Sequence, residues 1–367
     1  MSKRAKPPVL LLGSYGRGNI GDDIFLLAAL ELLGDRTIYI NSSDDELLPA
    51  AARGRVKTLA TNGGWKSKIK ALRDIKHVVY WGGDTWVKWY GDRFPRQLLY
   101  KMIVINLAAR LMGKKVYYVG TGIGKLSGYS LFLARTSARL ANRIVAREQR
   151  SAKLLNTGNI TVFPDLAVNL PYYNRTLHAL PAKGKKFTVG ISLLYYLPDP
   201  EINFPKLIER LATLVKSLPQ DKFRVVLYPM LVTQQVPNDD LWASERLATA
   251  LTKNSVEILH PETLEDAVRV LGTMDLLIGT RLHANILGSF SATPCLGIAY
   301  RPKVASFFAD NDLSDYCITL DQLDELEATF WDMYNHYDQV AQKFHEVSAS
   351  NVAQHKRYQE FVDEACK

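Results

Sequence analysis

One short segment of the chain places an arginine, a histidine and a lysine where they could act on an anion. In GTRLHANILGSFSATPCLGIAYRPKV, Arg281 and His283 open a predicted helix directly after an apolar strand, and Lys303 follows the next strand. The amides at a helix N-terminus favour negative charge, and parallel strands bring their carboxyl ends to one edge of a sheet. A lone histidine is more often structural, but one between two cations in a predicted cleft is a candidate acid near neutral pH.

A glycine-rich turn forms a second candidate site. Gly16, Gly18 and Gly21 stand in GxGxxG spacing between a predicted strand and a predicted helix, which is the context of a dinucleotide-binding turn. Asp22 and Asp23 follow at the start of the helix, where their charge would oppose a pyrophosphate. The alternative is a tight turn that leads into an acid-capped helix, and an NAD-linked oxidoreductase ranks third among the rival interpretations.

Further strand ends in the first half of the chain carry glycine or charge. Gly83 and Asp84 follow the third predicted strand, and GTGIG (120–124) ends the fourth. Glycines there let backbone amides approach a ligand closely. Arg147 stands at the end of the fifth strand, where its guanidinium could fork a carboxylate or phosphate. Asp165 ends the sixth strand, and it either holds a sugar hydroxyl or caps the next helix.

The elements that must position these residues alternate regularly. Continuous apolar strands separated by helical segments indicate parallel sheets covered on both faces, hence an α/β fold. The alternation pauses at a polar stretch (169–186) and then restarts. We therefore predict two Rossmann-like doubly wound domains facing across a cleft, with a C-terminal helical tail. The predicted domains are residues 1–175 and 176–320, followed by a tail over residues 321–367.

Composition narrows the classes of function. The 367 residues carry a formal net charge of +9, which suits anionic substrates or lipid surfaces. Nucleic acid is not expected, because the basic residues are scattered and neither zinc-finger spacing nor an aromatic RNA-binding signature is present. No metal site is predicted, because the histidines, carboxylates and three cysteines show no ligand spacing. No apolar stretch approaches the length of a transmembrane helix, so a cytoplasmic location is expected.

Taken in order, these pieces resemble the polysaccharide pyruvyl transferase family. The motifs that carry the resemblance are GNIGDD (18–23), GGD (82–84), GTGIG (120–124), REQRSAKLL (147–155), PDLA (164–167), GTRLHA (279–284) and the segment from Pro294 to Lys303. The resemblance implies a glycosyltransferase-B-like architecture, phosphoenolpyruvate as donor in the interdomain cleft, and no separate cofactor. It also implies a saccharide acceptor, often lipid-linked, in cell-surface polymer synthesis. Such an acceptor would bring the protein to the inner face of the membrane as a peripheral contact.

The chain departs from the family pattern at two positions. Members usually carry a third glycine where this chain has Asp84, and commonly glutamate where it has Asp23. The segment after Asp84 is unusually aromatic. Trp86, Trp89 and Tyr90 either stack on a sugar or belong to the core, and the sequence favours neither. These differences leave the acceptor open.

The implied reaction assigns roles to the cations. Formation of a pyruvyl ketal requires a proton on the methylene carbon of phosphoenolpyruvate, and His283 is the expected general acid. Arg147, Arg281 and Lys303 are expected to clamp the donor's carboxylate and phosphate and to stabilise the departing phosphate.

The other candidate residues are expected to line the cleft. Asn19, with the backbone from Gly18 to Gly21, would face the donor from the first domain, and Asp165 would orient an acceptor hydroxyl. Two rival functions use the same fold. One is a glycosyltransferase acting on a nucleotide sugar, and the other is a catalytically silent binding protein. The sequence does not indicate an oligomeric state.

Overall fold

The computed structural model divides the chain into two compact units. The structure describes residues 6–41, 48–58, 73, 75–86, 95–124, 126–173, 175–232, 239–251 and 256–365. The units share the chain as follows: the first contains residues 1–17, 22–170 and 354–367, and the second contains residues 18–21 and 171–353. The main division thus falls inside the predicted linker, and residues 18–21 group with the second unit.

The first unit is built on a parallel sheet. Its strands are β1 (Val9–Leu12), β2 (Ile38–Ile40), β3 (Val56–Thr58), β4 (His77–Trp81), β5 (Asp84–Trp86), β6 (Lys115–Ile123), β7 (Arg143–Ala146) and β8 (Ile160–Val162). They lie in the order β3-β2-β1-β4-β6-β7-β8, with β5 paired to β6. The first strand is central and the order reverses beside it, which is the doubly wound topology predicted from the sequence.

The second unit repeats this plan. Its strands are β9 (Phe187–Ser192), β10 (Phe223–Leu227), β11 (Val256–Ile258), β12 (Leu276–Gly279), β13 (Cys295–Ala299) and β14 (Cys317–Thr319). Their order is β11-β10-β9-β12-β13-β14, and every pairing is parallel. With β9 as the first strand, this is the 3-2-1-4-5-6 order of a Rossmann fold.

Helices connect the strands of both sheets. They are α1 (Ile20–Leu33), α2 (Pro95–Leu111), α3 (Gly128–Arg139), α4 (Gln149–Leu155), α5 (Pro200–Ser217), α6 (Asp240–Ala250), α7 (Leu264–Leu271), α8 (Leu282–Phe290), α9 (Pro302–Asp310), α10 (Leu326–Asn335), α11 (Tyr337–Ala353) and α12 (His355–Ala365). The longer strands and helices were predicted from apolar runs. The three-residue strands β3 and β5 were not, because VKT and DTW carry no apolar run. In the described parts of the chain, no helix is long and apolar enough to cross a membrane.

The core of the first unit settles one open alternative. Trp86 is fully buried and stacks on Tyr118, with ring centroids 4.4 Å apart, and Tyr118 stacks on Tyr80 at 4.3 Å. Trp86 is therefore a core residue and is not available to a sugar. Trp89 and Tyr90 lie outside the described residues.

The predicted C-terminal tail is helical, and its helices belong to different units. In the second unit, the Tyr337 hydroxyl at the start of α11 donates to the carbonyl oxygen of Asp275 at 2.7 Å. In the first unit, the Tyr358 hydroxyl of α12 donates to the carbonyl oxygen of Pro164 at 2.6 Å. The tail thus completes both cores instead of standing apart.

A buried histidine at the start of β4 makes the stability of the fold depend on pH. None of the described residues hydrogen-bonds to the ring nitrogens of His77, and burial lowers its pKa to about 4. Below pH 6.5 the His77 side chain binds a proton in the unfolded chain but not in the folded chain. The free energy of unfolding therefore decreases as the pH falls from 6.5 towards 4. We expect His77→Leu to gain about 1.4 kcal/mol per pH unit over the wild type in that interval.

Urea unfolding at several pH values between 7 and 4 measures this difference. The control is His260→Leu, which removes an exposed histidine. Stability curves for His77→Leu and the wild type that run parallel over the whole interval would contradict the assignment.

Candidate functional site

The turn between β12 and α8 is held rigidly by its own side chains. The Asn285 amide group donates to the carbonyl oxygens of Gly279 at 3.0 Å and of Arg281 at 3.1 Å. A Cβ atom on Gly279 would lie 2.5 Å from the Asn285 side-chain oxygen, so glycine is required there. Arg281 is the N-cap of α8 and His283 lies in its first turn. The turn therefore presents both residues at the carboxyl edge of the second sheet, as predicted.

A buried carboxylate at the start of α6 fixes Arg281. The Arg281 Nε atom donates to both carboxylate oxygens of Asp240, at 2.8 and 3.0 Å, and Nη2 bonds to Oδ1. Asp240 is completely buried, and it also accepts the amides of Met230 at 3.1 Å and Leu231 at 3.0 Å. Burial raises the pKa of Asp240, while Arg281 and the two amides act in the opposite direction. Hydrogen bonds to a charged partner are about twice as strong as neutral ones, so the guanidinium has a fixed orientation.

The backbone that follows β10 also holds the glycine-rich segment. Asn19 forms an isolated antiparallel bridge with Leu231, and the Ile20 amide donates to the carbonyl oxygen of Met230 at 3.0 Å. The Asn19 side chain accepts the amide of Gly21 at 3.1 Å. The chain from Gly18 to Gly21 is thereby attached to the backbone that Asp240 anchors.

Gly21 and His283 lie against each other. A Cβ atom on Gly21 would come within 2.2 Å of His283 Nδ1 and 2.8 Å of its Cγ. Only a glycine therefore leaves room for the imidazole in this position. The sequence predicted that Gly18, Asn19 and Gly21 would face the donor from the first domain. The structure corrects this, because their hydrogen bonds place them in the same unit as His283.

Lys303 stands at the neighbouring strand end. β12 and β13 pair in parallel, with Gly279 opposite Gly297, so their carboxyl ends lie side by side. α9 begins at Pro302, and Lys303 is half-buried in its first turn. The arginine, the histidine and the lysine predicted from the second half of the chain thus share one sheet edge.

Arg147 lies in a cluster of carboxylates in the first unit. Its Nη2 atom bonds to Asp84 Oδ1, and its Nη1 atom lies 3.5 Å from Asp165 Oδ2. Asp165 also accepts the amide of Ala167 at 3.0 Å, so it caps the turn that follows, which is the second use that the sequence allowed. A Cβ atom on Gly122 would lie 3.0 Å from both Arg147 Nε and Asp84 Oδ1. The GTGIG motif thus makes space for this ion pair.

Carboxyl groups outnumber guanidinium groups in this cluster. Burial would lower the pKa of Arg147, but Asp84 and Asp165 raise it, so the guanidinium stays charged. Arg147 faces Asp84 and Asp165, and Glu148 is buried nearby, 3.7 Å from the Arg150 guanidinium. Burial raises the pKa of Asp165, and Arg147 acts in the opposite direction. The cluster has no surplus positive charge for an anionic donor. The role of Arg147 as a donor clamp therefore stays a prediction.

The remaining predicted residues stand in turns of the first unit. Gly82 and Gly83 both have left-handed backbone angles, with φ of 76° and 72°. They connect β4 to β5, and Asp84 is the first residue of β5. The Asp23 carboxylate accepts the amide of Gly16 at 2.7 Å. Burial raises the pKa of Asp23 to about 7. Since Asp23 occupies an amide that a dinucleotide phosphate would need, the turn favours the capped-helix alternative.

Asp240 is the residue that sequence reasoning missed. It was placed only within a predicted helix, and a pair of aspartates at a helix start is ordinary capping chemistry. The available signal was its position shortly after a strand of the predicted sheet, at the edge where ligands bind. Among the described residues, no three His, Cys, Asp or Glu side chains group as metal ligands.

Solved structures with the same fold are numerous and distant in sequence. A putative UDP-N-acetylglucosamine 2-epimerase from Listeria monocytogenes is 14% identical, with a TM-score of 0.64 over 98% of this chain and 96% of its own. The HepE protein of Anabaena, solved in complex with UDP, is 12% identical, with a TM-score of 0.64 over 98% of both chains. The epimerase from Neisseria meningitidis, bound to UDP-GlcNAc, is 12% identical with a TM-score of 0.59, over 98% and 99%. These similarities show a glycosyltransferase-B-like fold.

The family follows from the sequence itself. No curated protein matches the chain. The model of the polysaccharide pyruvyl transferase family matches residues 19–302, a range that runs from the glycine-rich segment to the strand end beside Lys303. The protein therefore belongs to the polysaccharide pyruvyl transferase family.

Proposed function

We propose that the protein transfers the pyruvyl group of phosphoenolpyruvate to a saccharide and forms a pyruvyl ketal. The observation that carries this proposal is the arrangement around α8, where His283 lies against Gly21 and follows an arginine that Asp240 fixes. Family membership supports transferase chemistry of this type. The basic side chains support an anionic donor in the second unit, because Arg281 and Lys303 stand at the sheet edge where His283 lies.

The proposed reaction starts with a proton. Protonated His283 gives its proton to the methylene carbon of phosphoenolpyruvate, which becomes a methyl group, and positive charge develops on the central carbon. A sugar hydroxyl adds to that carbon through its oxygen. The bond from the central carbon to the phosphate oxygen then breaks, phosphate leaves, and a second hydroxyl of the sugar closes the ketal. One hydroxyl proton restores His283 and the other departs to phosphate or water.

Arg281 and Lys303 stabilise the charges of this reaction. The donor enters with a carboxylate and a phosphate, and the phosphate gains charge as it leaves. A guanidinium suits a planar carboxylate and a lysine suits a phosphate as a point charge. Because Asp240 holds one side of the guanidinium, Arg281 is already oriented before the donor binds, which lowers the cost of reorganisation.

The carboxylates of the first unit suit the acceptor. Asp165 is buried and caps a turn, whereas the Asp84 side chain is 18% exposed and is oriented by Arg147. We assign Asp84, not Asp165, to the acceptor hydroxyl, with Arg147 as the residue that positions it. This also gives a purpose to the aspartate that stands where the family usually has glycine.

A nucleotide-sugar transferase is the second candidate. Structures on this fold were solved with UDP and with UDP-GlcNAc. Calorimetric titration of the protein with phosphoenolpyruvate and with UDP separates the two functions. Binding of phosphoenolpyruvate favours pyruvyl transfer, and binding of UDP alone favours the alternative.

Replacement of the proposed acid tests the mechanism. We expect His283→Ala to lose about 10²–10⁴-fold in kcat for acceptor-dependent phosphate release from phosphoenolpyruvate, because the methylene carbon then has no proton donor. Donor affinity should change little, since the anion contacts remain. Phosphate release with a panel of saccharides measures the rate, and calorimetry measures donor binding.

The matched control is His260→Ala, at an exposed position after β11. It should turn over at the wild-type rate. Turnover by a folded His283→Ala protein within a few fold of this control would remove His283 from the mechanism.

The Arg281–Asp240 pair is tested by a double-mutant cycle. We expect Asp240→Asn and Arg281→Met each to lower kcat/KM for phosphoenolpyruvate by about 10-fold to 100-fold, the range for a lost charged partner. The double variant should lose no more than Arg281→Met alone, because Asp240 acts through Arg281.

Asp239→Asn is the control for this cycle. Asp239 caps α6 by accepting the amide of Trp242 at 3.0 Å, and asparagine retains that cap. Losses that multiply in the double variant, or an Asp240→Asn protein as active as Asp239→Asn, would show that Asp240 does not work through Arg281.

A further inference from the structure

Two helices of the first unit expose an apolar surface that the core does not explain. The side chains that form this surface are all at least two-fifths exposed, and they are Tyr100, Val104, Leu107 and Leu111 on α2 with Tyr129 and Phe132 on α3. We call this set the α2–α3 patch. Leu111 is 88% exposed. Single exposed apolar residues need no explanation, but a set on two adjacent helices marks an interaction site.

The spacing of the patch residues on α2 shows that they form one face of the helix. Tyr100, Val104, Leu107 and Leu111 follow at intervals of four, three and four residues, so they lie on one side. Another side of α2 is buried in the core of the unit, where Leu99 and other residues pack. α2 is thus apolar towards the core and towards the outside.

α3 extends this face. The Tyr100 and Tyr129 hydroxyl groups hydrogen-bond across the two helices at 2.8 Å. The Tyr129 and Phe132 rings stack with centroids 5.9 Å apart. The α2–α3 patch is therefore one continuous surface with aromatic rings in it.

The segment that carries the patch is basic. From Pro95 to Arg139 the sequence contains eight lysines and arginines and no aspartate or glutamate. Lys101, Lys115 and Arg139 are among the cations that are exposed. A second copy of the chain docked on the same surface would oppose these cations to one another, because a two-fold interface joins identical patches. The charge complements an anionic partner.

We propose that the α2–α3 patch docks the protein on the surface of an anionic lipid membrane. Leucine, valine and phenylalanine side chains would enter the boundary between headgroups and acyl chains. Tyrosine rings suit the level of the headgroups. Lysine and arginine side chains would meet lipid phosphates. A fluid surface also needs no shape complementarity from the two helices. This inference does not depend on the reaction that the protein catalyses.

Sedimentation with lipid vesicles tests the proposal. We expect the full-length protein to bind vesicles made of equal parts phosphatidylglycerol and phosphatidylcholine, and to bind pure phosphatidylcholine about tenfold more weakly or worse. Binding to the anionic vesicles should weaken as salt is raised, because salt screens exposed charges.

Two pairs of variants separate the apolar and the charged contributions. Leu107→Ser with Leu111→Ser should weaken binding by about tenfold or more, since two inserted side chains are lost. The control is Ile202→Ser with Val232→Ser, at exposed apolar positions of the second unit. Lys101→Glu with Arg139→Glu should weaken binding by about tenfold or more. Its control, Lys183→Glu with Lys186→Glu, changes the net charge equally in an exposed loop.

The proposal is overturned by any of three results. The first is an absence of binding to the anionic vesicles. The second is equal binding of the patch variants and their controls, with all four proteins melting near the wild-type temperature. The third is a dimer in light scattering that Leu107→Ser with Leu111→Ser abolishes, with no vesicle binding, because the patch would then join two copies of the chain.

Discussion

The candidate site in the second unit depends on one buried carboxylate. Asp240 is removed from water, and it is stabilised there by Arg281 and by the amides of Met230 and Leu231. An ionised group in such a place is expensive unless every partner is present, so the partners are held as firmly as the carboxylate. The backbone that Asp240 fixes pairs with the glycine-rich segment, which in turn lies against His283. One charge thus organises the arginine, the glycine turn and the imidazole together.

Both units contain an arginine–carboxylate ion pair, but its surroundings differ between them. In the second unit one carboxylate faces one arginine, and further basic groups stand at the same sheet edge. In the first unit Arg147 faces Asp84 and Asp165, so the carboxylates are in excess. We therefore propose the anionic donor for the first arrangement and the hydroxyl-bearing acceptor for the second. The proposed division rests on this difference in side chains, and not on the presence of arginine alone.

The sequence was sufficient for the fold and for part of the site. Long buried strands such as β4 can be recognised in the sequence because both of their faces are apolar. Residues at strand ends, such as Arg281, can be predicted from the position at which the apolar run stops. The partners of those residues cannot be predicted from the sequence, because Asp240 lies 41 positions from Arg281 and Asp84 lies 63 positions from Arg147. Nothing local distinguishes a capping aspartate from one that becomes buried against an arginine. The placement of residues 18–21 failed for the same reason, because their hydrogen bonds reach across the chain to β10 and beyond.

A crystal structure with phosphoenolpyruvate bound is the most direct test of the central claim, which is that the Asp240-anchored group holds the donor. The account predicts donor carboxylate and phosphate against Arg281 and Lys303, with His283 beside the methylene carbon and Asp240 still bonded to Arg281. A donor bound instead to Arg147, after that residue has separated from its carboxylates, would contradict the account.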